Sequence, residues 1–194
     1  MRYLLIGLLA FLASSPQAND ASKNMNTQQS TLFDFTTPED VQFWQIVNDS
    51  VMGGRSLSTM TSQLNSTAIF KGTISLENNG GFASIRTMPL PYKLLGYAGF
   101  LFRVKGDGKP YQFRLRTGNR FDGIAYSYQF ATEADEWIDV TIPFTEFVPV
   151  FRGRILNNVA PIAPEEIQQL GFLVTHKKAD EFQLEIDWIK AYQK

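Results

Sequence analysis

From Leu32 onward, apolar and polar residues alternate with period two in segment after segment, the spacing of strands that bury one face. Tyr111, Phe113 and Leu115 share one face of such a run, and Gln112, Arg114 and Arg116 the other. Ile124, Tyr126, Tyr128 and Phe130 repeat the pattern, as do Phe100, Phe102 and Val104, then Ile138, Val140 and Ile142 with Trp137 opposite. Phe182, Leu184, Ile186 and Trp188 form a last apolar face, with Gln183, Glu185 and Asp187 turned away. Turn-forming strings separate the runs: Gly53-Gly54, Asn78-Asn79-Gly80-Gly81, Gly106-Asp107-Gly108, Gly118-Asn119 and Asp122-Gly123. Many short strands divided in this way predict an all-β sandwich or jelly roll. One short connector helix is expected over 164–170, where Pro164 opens it, Glu165 and Glu166 fill its first turn and Gly171 follows its end.

The first 31 residues break this pattern. Met1-Arg2, an apolar run from Tyr3 to Ala13 and the small or turn-forming residues up to Ala18 predict an export signal over 1–18, hence a periplasmic or secreted protein. Residues 19–31 are polar and aperiodic and are expected to be a disordered spacer, leaving one β domain over 32–194.

Composition narrows the function. With 44% hydrophobic and 13% aromatic residues among 194, the chain can bury a core. Eighteen basic against 19 acidic residues, a net charge of -1, argue against a nucleic-acid binder, which needs a basic field. The absence of cysteine removes disulfides, thiolate zinc sites and a cysteine nucleophile. The single histidine, His176, precedes Lys177 and Lys178 and is expected on an exposed loop, not in a triad. No nucleophile elbow, phosphate loop or dinucleotide fingerprint occurs, and Asp34, Asp49 and Asp187 have no spacing that would pair them for acid–base work. No catalytic residue, no cofactor and no metal-ligand spacing is expected, although calcium held by backbone carbonyls would leave little trace.

Two features carry candidate chemistry. The stretch from Trp44 through Asn48, Asp49, Gly53, Gly54 and Arg55 to Ser56 supports two readings: a structural corner with Trp44 in the core and Asx turns at Asn48 and Asp49, or a polar pocket for a ligand. The second feature is a set of arginines opposite the apolar faces of their strands, namely Arg103, Arg114 and Arg116. With Arg86 they would form a guanidinium platform for carboxylate, phosphate or sugar hydroxyl groups if their strands are neighbours. Trp137 is a weaker candidate for a partly exposed stacking surface.

Several strings together resemble the complex I intermediate-associated protein 30 family: Leu32-Phe33-Asp34-Phe35, Trp44 with Val47-Asn48-Asp49-Ser50-Val51-Met52-Gly53-Gly54-Arg55-Ser56, Phe70-Lys71-Gly72, Asn79-Gly80-Gly81-Phe82-Ala83-Ser84-Ile85-Arg86, Lys105-Gly106-Asp107-Gly108, Pro143-Phe144 and Phe151-Arg152-Gly153. The resemblance spans nearly all of Leu32 to Tyr192. It implies a galactose-binding-like jelly-roll β-sandwich and a non-catalytic assembly-factor or binding domain. The partner would be a protein, with possible association with membrane complexes. The fold is shared with carbohydrate-binding modules, so a carbohydrate ligand is the alternative. Trp44, Asn48, Asp49, Gly53, Gly54, Arg55, Arg86, Arg103, Arg114 and Arg116 are the residues expected to bind.

Overall fold

A computed structural model describes residues 28–193 apart from Asn119 and Phe121. The export signal over 1–18 and most of the spacer therefore lie outside the described residues, as does half of the Gly118-Asn119 turn.

The alternating runs form thirteen strands: β1 (Gln29–Phe33), β2 (Trp44–Ile46), β3 (Leu57–Ser62), β4 (Ala68–Ile74), β5 (Phe82–Thr87), β6 (Gly99–Lys105), β7 (Tyr111–Arg116), β8 (Ala125–Phe130), β9 (Trp137–Pro143), β10 (Val148–Phe151), β11 (Arg154–Ile155), β12 (Gln169–Thr175) and β13 (Asp180–Tyr192). They make two antiparallel sheets. One runs β3-β4-β13-β6-β9, with β1 also paired to β13; the other runs β11-β10-β8-β7-β12-β5-β2. Each sheet buries its apolar face against the other, the arrangement of a β-sandwich.

Phenylalanines fill the space between the sheets. Phe102 of β6 meets Phe113 of β7 at 4.8 Å between ring centroids, Phe130 of β8 at 5.2 Å and Phe172 of β12 at 5.5 Å. All four rings are buried. Edge-to-face and tilted pairs of this kind add roughly 0.5–1.5 kcal/mol each beyond the area they bury.

Three local expectations are corrected. The first strand starts at Gln29, inside the stretch assigned to the spacer, because Gln29, Ser30 and Thr31 pair with Tyr192, Ala191 and Lys190 of β13. The helical segment covers Pro164–Glu166 alone; Gln169 and Leu170 already belong to β12, and Gly171 lies mid-strand instead of capping a helix. Two-sided pairing with β5 and β7 outweighs the weak helical preference of this short segment. Trp188 is turned away from the core. A register shift between Ile186 and Trp188 moves the inward set to Ile189 and Ala191, since one extra residue reverses the phase of alternation. The Lys190 ammonium sits 4.2 Å from the Trp188 ring centroid.

Candidate functional site

The corner between β2 and β3 is built around two buried polar side chains. Asn48 and Asp49 are 6% and 0% exposed. The Asp49 carboxylate accepts bonds from the Ser56 amide and hydroxyl and from the amides of Gly81 and Phe82. Burial alone would raise the pKa of Asp49, but the bonds from Ser56, Gly81 and Phe82 outweigh it and hold the carboxyl below its ordinary value of 3.8. Asn48 donates to the Ser56 carbonyl at 3.3 Å and accepts from the Ser58 hydroxyl at 2.9 Å and the Ser84 amide at 3.2 Å. The Asx turns expected here do not form: Asn48 precedes a 3-10 turn over Asp49–Met52 without capping it. Both side chains tie distant strands together.

The glycines of this corner serve the carboxylate. A Cβ on Gly54 would lie 2.5 Å from Asp49 Cγ, and one on Gly80 would lie 2.6 Å from Asp49 Oδ2. Gly53, at φ 89°, ends the turn in the left-handed region. The product is a protruding tip: Val51 and Met52 are 52% and 58% exposed, between exposed Ser50 and Gly53, while Asn48, Asp49 and Ser56 at its base are buried. Neither side chain was singled out from the sequence. The available signal was an apolar pair between Asn-Asp and Gly-Gly, out of phase with any strand face.

The other expected site residues separate into three groups. Trp44 is core, stacked 6.1 Å from Phe172 and tilted against Phe33 at 5.2 Å. Its Nε1 is buried without a hydrogen-bond partner among the described residues. Arg55 is exposed and pairs with Glu77 at 2.7 Å, a surface contact worth little. Arg103 does not join the other arginines, because β6 belongs to the opposite sheet. There it faces outward beside Asp139 at 3.6 Å and Asp187 at 3.5 Å. Trp137 lies on that same outer face under Arg103 and Lys105, whose cationic groups are 5.6 and 5.1 Å from its ring centroid.

Arg86, Arg114 and Arg116 do come together. β12 sits between β5 and β7, so Gly171 is paired with Arg86 on one side and Arg114 on the other, and Gln169 with Arg116. Arg114 donates Nε and Nη2 to Gln112 Oε1, and Arg116 donates Nη1 to the Gly123 carbonyl. Burial, and then the charge of Arg116, lowers the Arg114 pKa to about 10. Burial, and then Arg86, lowers that of Arg116. Alternation already placed Gln112 on this face, but Gln169 and Gly171 escaped notice in the sequence because their neighbours are set by strand order, which alternation does not encode.

The acids weighed for catalysis stay apart. Asp34 bonds Thr36 after β1, Asp49 is in the corner, and Asp187 pairs with Arg103. Among the described residues no group of three or more His, Cys, Asp and Glu could hold a metal ion. His176 is partly covered, with Nδ1 3.7 Å from Asp180.

The profile of complex I intermediate-associated protein 30 matches residues 33–186, which contain both the corner and the arginines. The chain belongs to the complex I intermediate-associated protein 30 family. The mouse mitochondrial complex I intermediate-associated protein 30 is 28% identical over 197 residues, which cover 91% of this chain and 60% of that protein. The Drosophila melanogaster protein of that name, also mitochondrial, is 27% identical, over 81% of this chain and 61% of its own length. This chain thus spans about 60% of these family members. A family 11 carbohydrate-binding module from Clostridium thermocellum shares the fold, with a TM-score of 0.63 and 17% identity over 85% of this chain and 95% of the module. The relatives correct three expectations. Because they are mitochondrial proteins, the export signal, the periplasmic or secreted location and the carbohydrate-binding alternative do not stand.

Proposed function

We propose that this chain is a non-catalytic assembly-factor domain that holds a partly built respiratory complex I, and that the tip at Val51 and Met52 is its protein contact. Family membership over residues 33–186 supports the assembly role. The observation that carries the contact is the exposure of Val51 and Met52, 52% and 58%, on a loop whose neighbours Asn48 and Asp49 are buried and cross-braced. An apolar pair carried on a loop braced at its base has less backbone entropy to lose on docking than one on an unbraced loop, which favours anchoring. Ile46, Leu57 and Leu76, from the segments this corner ties together, are also exposed and widen the apolar surface. In this reading Asn48, Asp49, Gly53 and Gly54 frame the contact without touching the partner, Trp44 backs it from the core, and Arg55 forms its rim.

The test is a Val51→Ser, Met52→Ser double variant expressed in the source cells. Complex I subunits should co-purify with the wild-type chain, and the variant should lose most of that yield while its melting temperature stays within about 1 °C, as expected of exposed positions. Equal recovery of complex I subunits by both chains would overturn the assignment of the tip. Their absence from the wild-type preparation would overturn the assembly role.

A further inference from the structure

Two of the depressions on the surface are lined by clustered charges. The larger, about 690 Å³, lies over β3, β4 and the start of β13 and is lined by Leu57, Lys71, Asp107, Lys109 and Asp180 among others. Its charges answer one another, with Lys109 Nζ 3.0 Å from Asp107 and 3.3 Å from Asp180. The smaller, about 40 Å³, is lined by Arg86, Arg114 and Arg116 with Ser84, Gln169 and Gly171. Here Arg114 and Arg116 meet no carboxylate among the described residues.

Three guanidinium groups face this cleft, and each has its pKa lowered chiefly by burial. The charge of Arg116 acts on Arg114, and that of Arg86 acts on Arg116, so Arg116 links the other two. Asp122 also acts on Arg116, but Asp122 is itself held by Arg152 at 2.6 Å. Arg114 and Arg116 form no ion pair among the described residues; their bonds go to neutral oxygens of Gln112 and Gly123. Gathering like charges where water is partly excluded is costly unless an opposite charge is bound. Gly171 provides the opening, since no side chain rises between Arg86 and Arg114 on the strands flanking it. At about 40 Å³ the cleft has room for one small group.

We propose that this cleft binds one oxyanion group, a carboxylate or a phosphate, between Arg86, Arg114 and Arg116. Planar guanidinium forks match both oxyanions and grip them through paired N–H bonds. This site is independent of the Val51–Met52 tip, and either can fail without the other.

The experiment uses the purified full chain in a phosphate-free buffer. Its melting temperature is measured in sodium phosphate and in sodium chloride at matched ionic strength. Calorimetry then measures binding of inorganic phosphate and of an end-blocked hepta-glutamate peptide. Phosphate, the peptide or both should bind, with affinity reduced at least tenfold in Arg114→Gln and in Arg116→Gln and unchanged in Arg103→Gln on the opposite sheet. Binding of the peptide alone identifies a protein-borne carboxylate as the source. Binding of phosphate identifies a free or esterified phosphate. Arg114→Gln should fold at least as well as wild type without ligand, since it removes a buried charge; Arg116→Gln carries the comparison if it does not. Equal stabilisation by chloride together with no calorimetric binding, or binding unaffected by both arginine variants, would overturn the proposal.

Discussion

At the scale of single residues, Asp49 organises the corner. Asp49→Asn keeps the shape but removes the charge that four donors share, and should cost on the order of 3 kcal/mol in chemical denaturation. The pH dependence has a definite sign. Because the folded-state pKa of Asp49 lies below 3.8, its stabilisation is present above that value and is lost as pH falls through the lower folded value. Glu185 adds to this. Burial opposes its ionisation, but bonds from Lys105, Thr67 and Asn65 hold its pKa below 4.5. Wild-type stability should therefore decline below about pH 4.5, and Asp49→Asn should flatten the lower part of that decline, as urea titrations between pH 6 and 2.5 would measure. The two adjacent glycines differ in a way that substitution separates. Gly53→Ala meets nothing within 4 Å and pays only for its positive φ, about 1–2 kcal/mol. Gly54→Ala drives a methyl group into Asp49 and should cost on the order of 3 kcal/mol, reversing the order that backbone conformation alone predicts. These roles were hidden in the sequence because the partners of Asn48 and Asp49 are remote: Ser84 follows Asn48 by 36 residues and Phe82 follows Asp49 by 33.

At the scale of elements, strands were the most legible part of the chain. A period of two survives wherever one face is buried, as along β6, β7 and β9, and it placed Phe102, Phe113 and Ile142 in the core correctly. It failed where the ladder itself is irregular. A bulge in β13 carries no residue signature of its own, so the turning out of Trp188 could not be anticipated. It failed also in β12, where residues on both faces are buried and alternation disappears. Arg103 shows a further limit. Its outward orientation was evident, but the sheet it belongs to depends on the order β13-β6-β9, a property of long-range pairing. The interlocking of phenylalanines between sheets can be measured. Phe102→Ala removes contacts with Phe113, Phe130 and Phe172 together and should cost about 3–5 kcal/mol, whereas Val148→Ala on the exposed side of β10 should cost well under 1 kcal/mol.

For the whole molecule, the two outer faces differ in how their charges are settled. On the six-stranded sheet Lys105 pairs with Glu185 at 2.8 Å, and Arg103 lies beside Asp139 and Asp187. The seven-stranded sheet keeps Arg114 and Arg116 without carboxylate contacts among the described residues. Binding that depends on electrostatics should accordingly map to the seven-stranded side, and salt should weaken it there. The sandwich also has an unequal dependence on its strands. β13 pairs with β1, β4 and β6, so one element near the C-terminal end is the keel on which the six-stranded sheet is laid. Without β13 the β3–β4 and β6–β9 pairs of that sheet have no shared neighbour to join them, so long-range pairing with β13 is what completes the sheet. A chain cut back before Asp180 should leave those two pairs unjoined and become far more protease-sensitive than the full chain, as limited proteolysis would measure.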